Sequence, residues 1–138
     1  FRMLKFRAMR IGFQGGATQD ADSRILPGCG FLRRFRLDEL PQLINILRGE
    51  MSWIGPRPAS LEIARGCEER CPAYVNRHLV PPGISGWAQV TYGYAGSIDD
   101  EIEKLAYDLY YLKNVSLDLD IEIIFRTIRT LLTRAGSR

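Results

Sequence analysis

Between Asp38 and Gly49 the chain places Leu40, Leu43, Ile44 and Leu47 at i, i+3, i+4 and i+7. That spacing lines side chains along one face of an α-helix and predicts that this face is buried. Asp38 suits the N-cap, Glu39 falls in the first turn, Pro41 is tolerated where amides lack partners, and Gly49 suits the C-terminal cap. A second helix is predicted over Ser60–Cys71. A third opens at Ser97, with Asp99, Asp100 and Glu101 at the positive end of its dipole. Its apolar face is Ile102, Leu105, Ala106, Leu109 and Leu112. A last helix runs over about Leu117–Leu132, with Ile121, Ile124, Ile128, Leu131 and Leu132 expected inside. Phe31–Arg36 reads as the end of a helix. Phe1–Met9 alternates apolar and basic residues, as in a short strand or an irregular edge, and Trp87–Tyr92 reads as a strand. Gly12–Ser23 reads as a mobile loop, and Gly55–Pro58 and Val80–Ser85 as rigid turns. The sum is an α+β fold, a mostly helical single domain over residues 1–138 with little β structure.

Composition narrows the class. With 138 residues, 46% hydrophobic and 25% charged, the chain can bury one real core and is not a disordered segment. No run of about 18 apolar residues is present, so nothing in it reads as a bilayer-spanning helix. Three cysteines, Cys29, Cys67 and Cys71, cannot all pair, which points to a reducing compartment. Cys67 and Cys71 with His78 form a weak zinc candidate that lacks a fourth ligand, and ordinary thiols are the better reading. The net charge of +3 does not by itself suggest nucleic acid, but only three of the 19 basic residues are lysines. Arginine binds phosphate and carboxylate bidentately, so the bias suits phosphate handling, and it equally suits a GC-rich genome. Eight basic residues against two acids lie between Phe1 and Arg36, giving one end a positive field for an anionic substrate or membrane surface.

The chemistry-bearing feature is Asp38-Glu39. Acids at a helix start are common as caps, so the dipeptide alone says little. Its surroundings say more. Arg33, Arg34 and Arg36 precede it and Gly55-Pro56-Arg57-Pro58 follows. Adjacent carboxylates ringed by guanidinium groups are a recurrent means of holding a metal and a phosphate together, with one carboxylate left to attack phosphorus.

The ordered blocks Lys5-Phe6-Arg7-Ala8-Met9, Phe31-Leu32-Arg33-Arg34, Leu37-Asp38-Glu39-Leu40-Pro41-Gln42-Leu43, Leu47-Arg48-Gly49-Glu50-Met51-Ser52, Ile54-Gly55-Pro56-Arg57-Pro58, Arg77-His78, Pro82-Gly83-Ile84-Ser85-Gly86-Trp87-Ala88-Gln89-Val90 and Tyr107-Asp108-Leu109-Tyr110-Tyr111-Leu112 together resemble the bacterial sugar transferase family, the monotopic phosphoglycosyl transferases that begin exopolysaccharide and glycan synthesis. The resemblance covers essentially the whole chain. It implies transfer of a sugar 1-phosphate from a nucleotide diphosphate sugar, expected to be a UDP-sugar, to polyprenyl (undecaprenyl) phosphate through a phosphosugar on aspartate. By that likeness Asp38 is the nucleophile and Glu39 holds Mg2+. Lys5, Arg7, Arg33 and Arg57 bind phosphate oxygens, and Asp108 is a further acid at the substrate. The place implied is the cytoplasmic face of the bacterial inner membrane, with an upstream membrane hairpin expected and absent from these residues.

The sequence departs from the family pattern at Cys29 and Gly30, where a glycine and an arginine are usual, which bears on substrate affinity rather than on the acid pair. Trp87, Tyr92, Tyr94, Tyr110 and Tyr111 could sit at headgroup level, though for any single one core packing is the simpler reading. His78 reads as a structural hydrogen-bonding residue. The rivals are a catalytically silent interaction domain, with Asp38 merely a cap, and a nucleic-acid-binding module. The arginines are not interleaved with a stacking platform, so no nucleic acid is expected.

Overall fold

The computed structural model describes residues 1–10, 25–93 and 97–133. Its helices are α1 (Gly30–Arg34), α2 (Gln42–Leu47), α3 (Leu61–Arg70), α4 (Trp87–Thr91), α5 (Ile98–Lys113) and α6 (Leu117–Thr133), and its strands are β1 (Ser52–Ile54) and β2 (Gly83–Ser85). Two 3-10 segments, Leu37–Glu39 and Pro72–Leu79, complete the order. This is the mostly helical α+β fold expected, with one two-stranded parallel sheet. The expected Gly12–Ser23 loop lies outside the described residues, as does Tyr94.

The long helix α5 carries the fold. Ser97 and Asp100 form a reciprocal capping box at its start, which satisfies two amides that a helix N-terminus leaves free. Along its length it serves two clusters. Leu105 packs with Cys67 of α3 and Tyr74 of the following 3-10 segment. Tyr111 packs with Ile54 of β1 and with Leu119 and Ile123 of α6, and its hydroxyl donates to Asp120 at 2.8 Å. Ile102, Leu109 and Leu112 are half-buried as expected, but Ala106 is exposed. Tyr111 is therefore a core residue, whereas Tyr110 is exposed and stacks on Trp87 at 5.7 Å between ring centroids. Cys67 is buried, His78 lies beside Glu68, and no metal-holding group of three or more His, Cys, Asp or Glu occurs among the described residues.

Four expectations change. Trp87–Tyr92 is not a strand: Gly86 is extended and accepts from the Gln89 and Val90 amides, which starts α4. Its apolar and polar residues alternate over too few positions to separate strand from helix. The strand lies just before it, inside the segment expected to be a turn, and pairs Gly83 with Ser52 and Ser85 with Ile54. Asp38 is not a cap of α2. Pro41 has no amide hydrogen, so the chain winds through i→i+3 bonds over Leu37–Ile44 before α2 begins at Gln42. Gly49 does follow α2 with a left-handed φ of +74°, as its capping role requires.

Finally, two apolar stripes point outward. Along α2 and just before it, Leu40, Ile44 and Leu47 are exposed, Leu47 to 88%, while Gln42 and Asn45 are buried to 1% and 0%. On α6, Ile121, Ile124, Ile128 and Leu132 are exposed, and the buried residues are Leu119 and Ile123.

The two strands meet with no room for a side chain. A Cβ on Gly83 or Gly86 would collide with the Gly55 backbone, and one on Gly55 would stand 2.5 Å from the Pro81 carbonyl oxygen. This three-glycine crossing aims the Pro56-Arg57-Pro58 turn. Gly83→Ala should therefore lower unfolding free energy by about 1–3 kcal/mol or more in urea titrations, the usual cost of overpacking. Gly30→Ala, in α1 with open space around it, should leave stability unchanged or raise it by up to about 1 kcal/mol.

Candidate active site

The Asp38-Glu39 pair is buried, to 4% and 7% exposure. Two neighbouring carboxylates taken from water need opposite charge and hydrogen bonds close by. The fold supplies them from three places. Lys5 Nζ lies 3.0 Å from Asp38 Oδ2 and 3.7 Å from Glu39 Oε1. Arg57 grips Glu39 with both guanidinium nitrogens, at 2.5 Å to Oε1 and 3.3 Å to Oε2, the fork-to-fork pairing that gives arginine its geometric specificity. Arg36 Nη1 stands 3.9 Å from Oε1. Burial opposes ionisation of Glu39, but Arg57, then Lys5 and Arg36, hold its carboxyl below the ordinary 4.5.

Each cation is held by a device of its own. Lys5 sits on a segment without regular structure, so it is fixed by hydrogen bonds at either side. Buried Asn45 accepts from the Leu4 amide at 3.0 Å and donates to the Arg2 carbonyl at 2.9 Å. On the other side the Phe6 amide donates to the Asp38 carbonyl at 2.9 Å. Asn45 in turn is oriented by Glu50 at 2.6 Å. Arg36 adopts φ +53°, the only left-handed non-glycine residue among those described. That conformation costs of order 1 kcal/mol or more and is characteristic of functional sites. It turns the chain so that both acids point inward through the 3-10 segment that follows.

Arg57 is held through its backbone. Arg77 donates to the Arg57 carbonyl at 2.8 Å, to the Tyr74 hydroxyl at 2.6 Å and to Asp108 through Nε at 3.0 Å. A second Arg77 nitrogen lies 2.7 Å from the same Asp108 oxygen. Both members of this pair are buried, Asp108 to 3% exposure. Burial pushes the Asp108 carboxyl up, with Arg77 opposing the rise. Asp108, expected at the substrate, is buried against Arg77, and among the described contacts it is linked to the acid pair through Arg77 and the Arg57 backbone.

Lys5, Asp38, Glu39 and Arg57 are thus brought together. Arg7 is exposed and Arg33 half-buried on α1, and among the described contacts none joins either to the acid pair. Arg36, read in the sequence as one of the arginines ringing the acid pair, does stand beside Glu39, whereas sequence reasoning missed Asn45 and Arg77 as parts of the site. Arg77 stood in a recognised block without a role, and the polar pair Gln42 and Asn45, opposite the apolar stripe of α2, was the available signal for an inward polar face.

Two outcomes follow. Arg77→Met leaves a buried carboxylate unpaired and should cost about 3–5 kcal/mol in denaturant titrations. Much of that loss should return in the double variant Arg77→Met/Asp108→Leu. Because Glu39 has a lowered folded-state pKa, its contribution to stability is complete above the unfolded value of 4.5 and is lost as pH falls through the lower folded value. Thermal melting across that acid limb should show the loss in the wild type and a flatter profile in Glu39→Gln, which has no such proton to take up.

The chain matches the family model described as "Bacterial sugar transferase" over residues 1–134. It is 49% identical, over all of its length, to an Aeromonas hydrophila protein named UDP-N-acetylgalactosamine-undecaprenyl-phosphate N-acetylgalactosaminephosphotransferase. It is 45% and 39% identical, each over 92% of its length, to proteins named UDP-glucose:undecaprenyl-phosphate glucose-1-phosphate transferase from Xanthomonas campestris pv. campestris and Escherichia coli K12. It spans 33%, 28% and 28% of those three relatives. The chain belongs to the bacterial sugar transferase family.

Proposed function

We propose that this chain is the catalytic part of an enzyme that transfers a sugar 1-phosphate from a UDP-sugar to undecaprenyl phosphate, initiating exopolysaccharide or glycan synthesis. The observation that carries the reading is the buried Asp38 carboxylate held 3.0 Å from Lys5, beside a Glu39 carboxylate clamped by Arg57. A carboxylate kept from water and surrounded by cations is suited to displacement at a doubly anionic diphosphate.

In the first step an Asp38 carboxylate oxygen attacks the phosphorus that bears the sugar. The phosphoanhydride bond breaks and nucleoside monophosphate leaves with the electron pair. In the second, a phosphate oxygen of the polyprenyl phosphate attacks the same phosphorus. The acyl phosphate bond breaks, Asp38 is restored as a carboxylate, and the sugar leaves on a lipid diphosphate. Lys5 and Arg57 take up the charge that shifts onto the phosphate oxygens. Arg7 and Arg33 lie toward the same end of the sequence and bind the outer phosphate oxygens. Asp108 acts through Arg77 as a positioning residue for Arg57.

The donor set fits Mg2+ in kind. Magnesium takes one or two carboxylates and leaves the rest of its shell to water and substrate phosphates, and Asp38 and Glu39 are two such groups side by side. Glu39 would hold the ion, which when bound would offset the negative charge of the diphosphate. Arg57 contacts both Glu39 oxygens, so guanidinium and metal draw on the same acceptor. The enzyme's place is the cytoplasmic face of the inner membrane, where sugar nucleotide and lipid carrier meet. Among the described residues no helix is long and apolar enough to cross a membrane.

The test is nucleoside monophosphate release by the full-length protein given UDP-sugars, magnesium and undecaprenyl phosphate. Release should fall to the uncatalysed level in Asp38→Asn with folding intact, and kcat should fall by about 10²-fold or more in Arg57→Met, the scale of losing a charge-stabilising donor. Release at the wild-type rate in Asp38→Asn would remove Asp38 as nucleophile.

A further inference from the structure

Beside the acid pair lies a cleft of about 240 Å³, whose charged lining residues are Glu39 and Arg36. Its walls are apolar, formed by Leu40 and Leu43 of the α2 region, Trp53 of β1, Val90 of α4 and Leu131 of α6. Most of the polar side chains that reach it are already engaged. The Ser85 and Thr127 hydroxyls bond each other at 2.6 Å, and Thr127 also donates to the Ile123 carbonyl. The Thr130 hydroxyl donates to the Arg126 carbonyl. Gln89 donates its amide to the Ile84 carbonyl at 3.1 Å, which leaves its buried side-chain oxygen as the one unpaired acceptor among these side chains.

A uracil ring or a sugar needs hydrogen-bond partners when it leaves water, and this cleft has few to give. A hydrocarbon needs none. The cationic end, where Arg36 and the Lys5 and Arg57 groups surround Glu39, complements an anionic head, and the apolar walls complement a tail. We infer that this cleft binds the phosphate-proximal isoprene units of the polyprenyl phosphate acceptor, a placement that rests on the function proposed above. The volume is below the ~300 Å³ at which pockets for drug-sized ligands begin, so it takes the start of the tail and not the whole carrier. Trp53 and Leu40, exposed to 61% and 50%, form its outer lip. The binding thus orients the acceptor so that its phosphate arrives at the acid pair with the hydrocarbon already out of water.

The test uses the full-length protein in detergent, where partitioning into a bilayer does not enter. Trp53→Glu and Leu40→Glu alter exposed lip residues outside the catalytic set, and Leu131→Trp fills the cleft from α6. Two reactions are read: release of nucleoside monophosphate in single turnover without acceptor, and complete transfer to undecaprenyl phosphate or to a short-tailed isoprenyl phosphate. Release without acceptor should stay within about twofold of wild type. KM for undecaprenyl phosphate should rise about tenfold or more, the scale of one lost apolar side-chain contact, and the wild-type preference for the long-tailed acceptor should shrink in at least two variants. Unchanged KM and chain-length preference, with release intact, would overturn the cleft assignment and leave the transferase reading standing. A raised KM for the UDP-sugar instead would give the cleft to the donor. Absence of the release step in wild type would remove the two-step reading itself, and the cleft assignment with it.

Discussion

Two carboxylates on consecutive residues, both buried, are the constraint on which the rest of this structure depends. Left alone they would repel each other and resist desolvation, and burial would favour the protonated form of Glu39. Lys5, Arg57 and Arg36 reverse that balance for Glu39, whose carboxyl is held below its ordinary value. The three cations come from an irregular N-terminal segment, a glycine-dependent turn and a left-handed backbone position. None of these is a rigid helix, so each must be fixed by contacts elsewhere, and much of the fold can be read as the means of fixing them.

The fixing contacts form a continuous path. Asn45 ties the first residues of the chain to α2 and so places Lys5. The Gly55, Gly83 and Gly86 crossing brings the two strands close enough that the Gly83 amide donates to the Pro56 carbonyl at 3.0 Å. Arg77 then pins the Arg57 carbonyl from behind, and Asp108 of α5 supplies the charge that lets Arg77 be buried. A substitution in the middle of α5 is therefore coupled to the acid pair through two arginines without contact to substrate. Each link of that path is a named hydrogen bond or ion pair.

What could be read in the sequence was local. The start of α5 at Ser97, the span of α3, the glycine after α2 and the extent of α6 all depend on residues within one or two turns of each other. The Lys5, Asp38, Glu39 and Arg57 group was named from motif order, and three-dimensional placement brings those four together. The errors were tertiary. Periodicity identifies an apolar face but carries no information about which side of a helix the core lies on, so α2 and α6 were turned the wrong way. The five residues of α4 were too few to show a period, and β2 was hidden in a segment whose prolines and glycines read as a turn. Arg77 and Asp108 are 31 residues apart, and no local rule pairs them.

The reversed helix α2 is the most informative of these errors. A helix ordinarily turns its leucines inward because burying them stabilises the fold. Here Gln42 and Asn45 take the inner side, where Asn45 makes the bonds that set Lys5, and the leucines are left to the outside. Apolar surface exposed in this way must be offset by another use of it. Leu43 of α2 and Leu40 just before it wall the cleft that opens beside Glu39, so the same short segment supports the charged site with one face and an apolar cleft with the other. The proposed acceptor, with an anionic head and a hydrocarbon tail, would use both faces at once. On the function proposed above, the inversion serves two ends of one acceptor: the buried polar side of α2 sets Lys5 at the acid pair, and the apolar side lines the cleft assigned to the hydrocarbon tail.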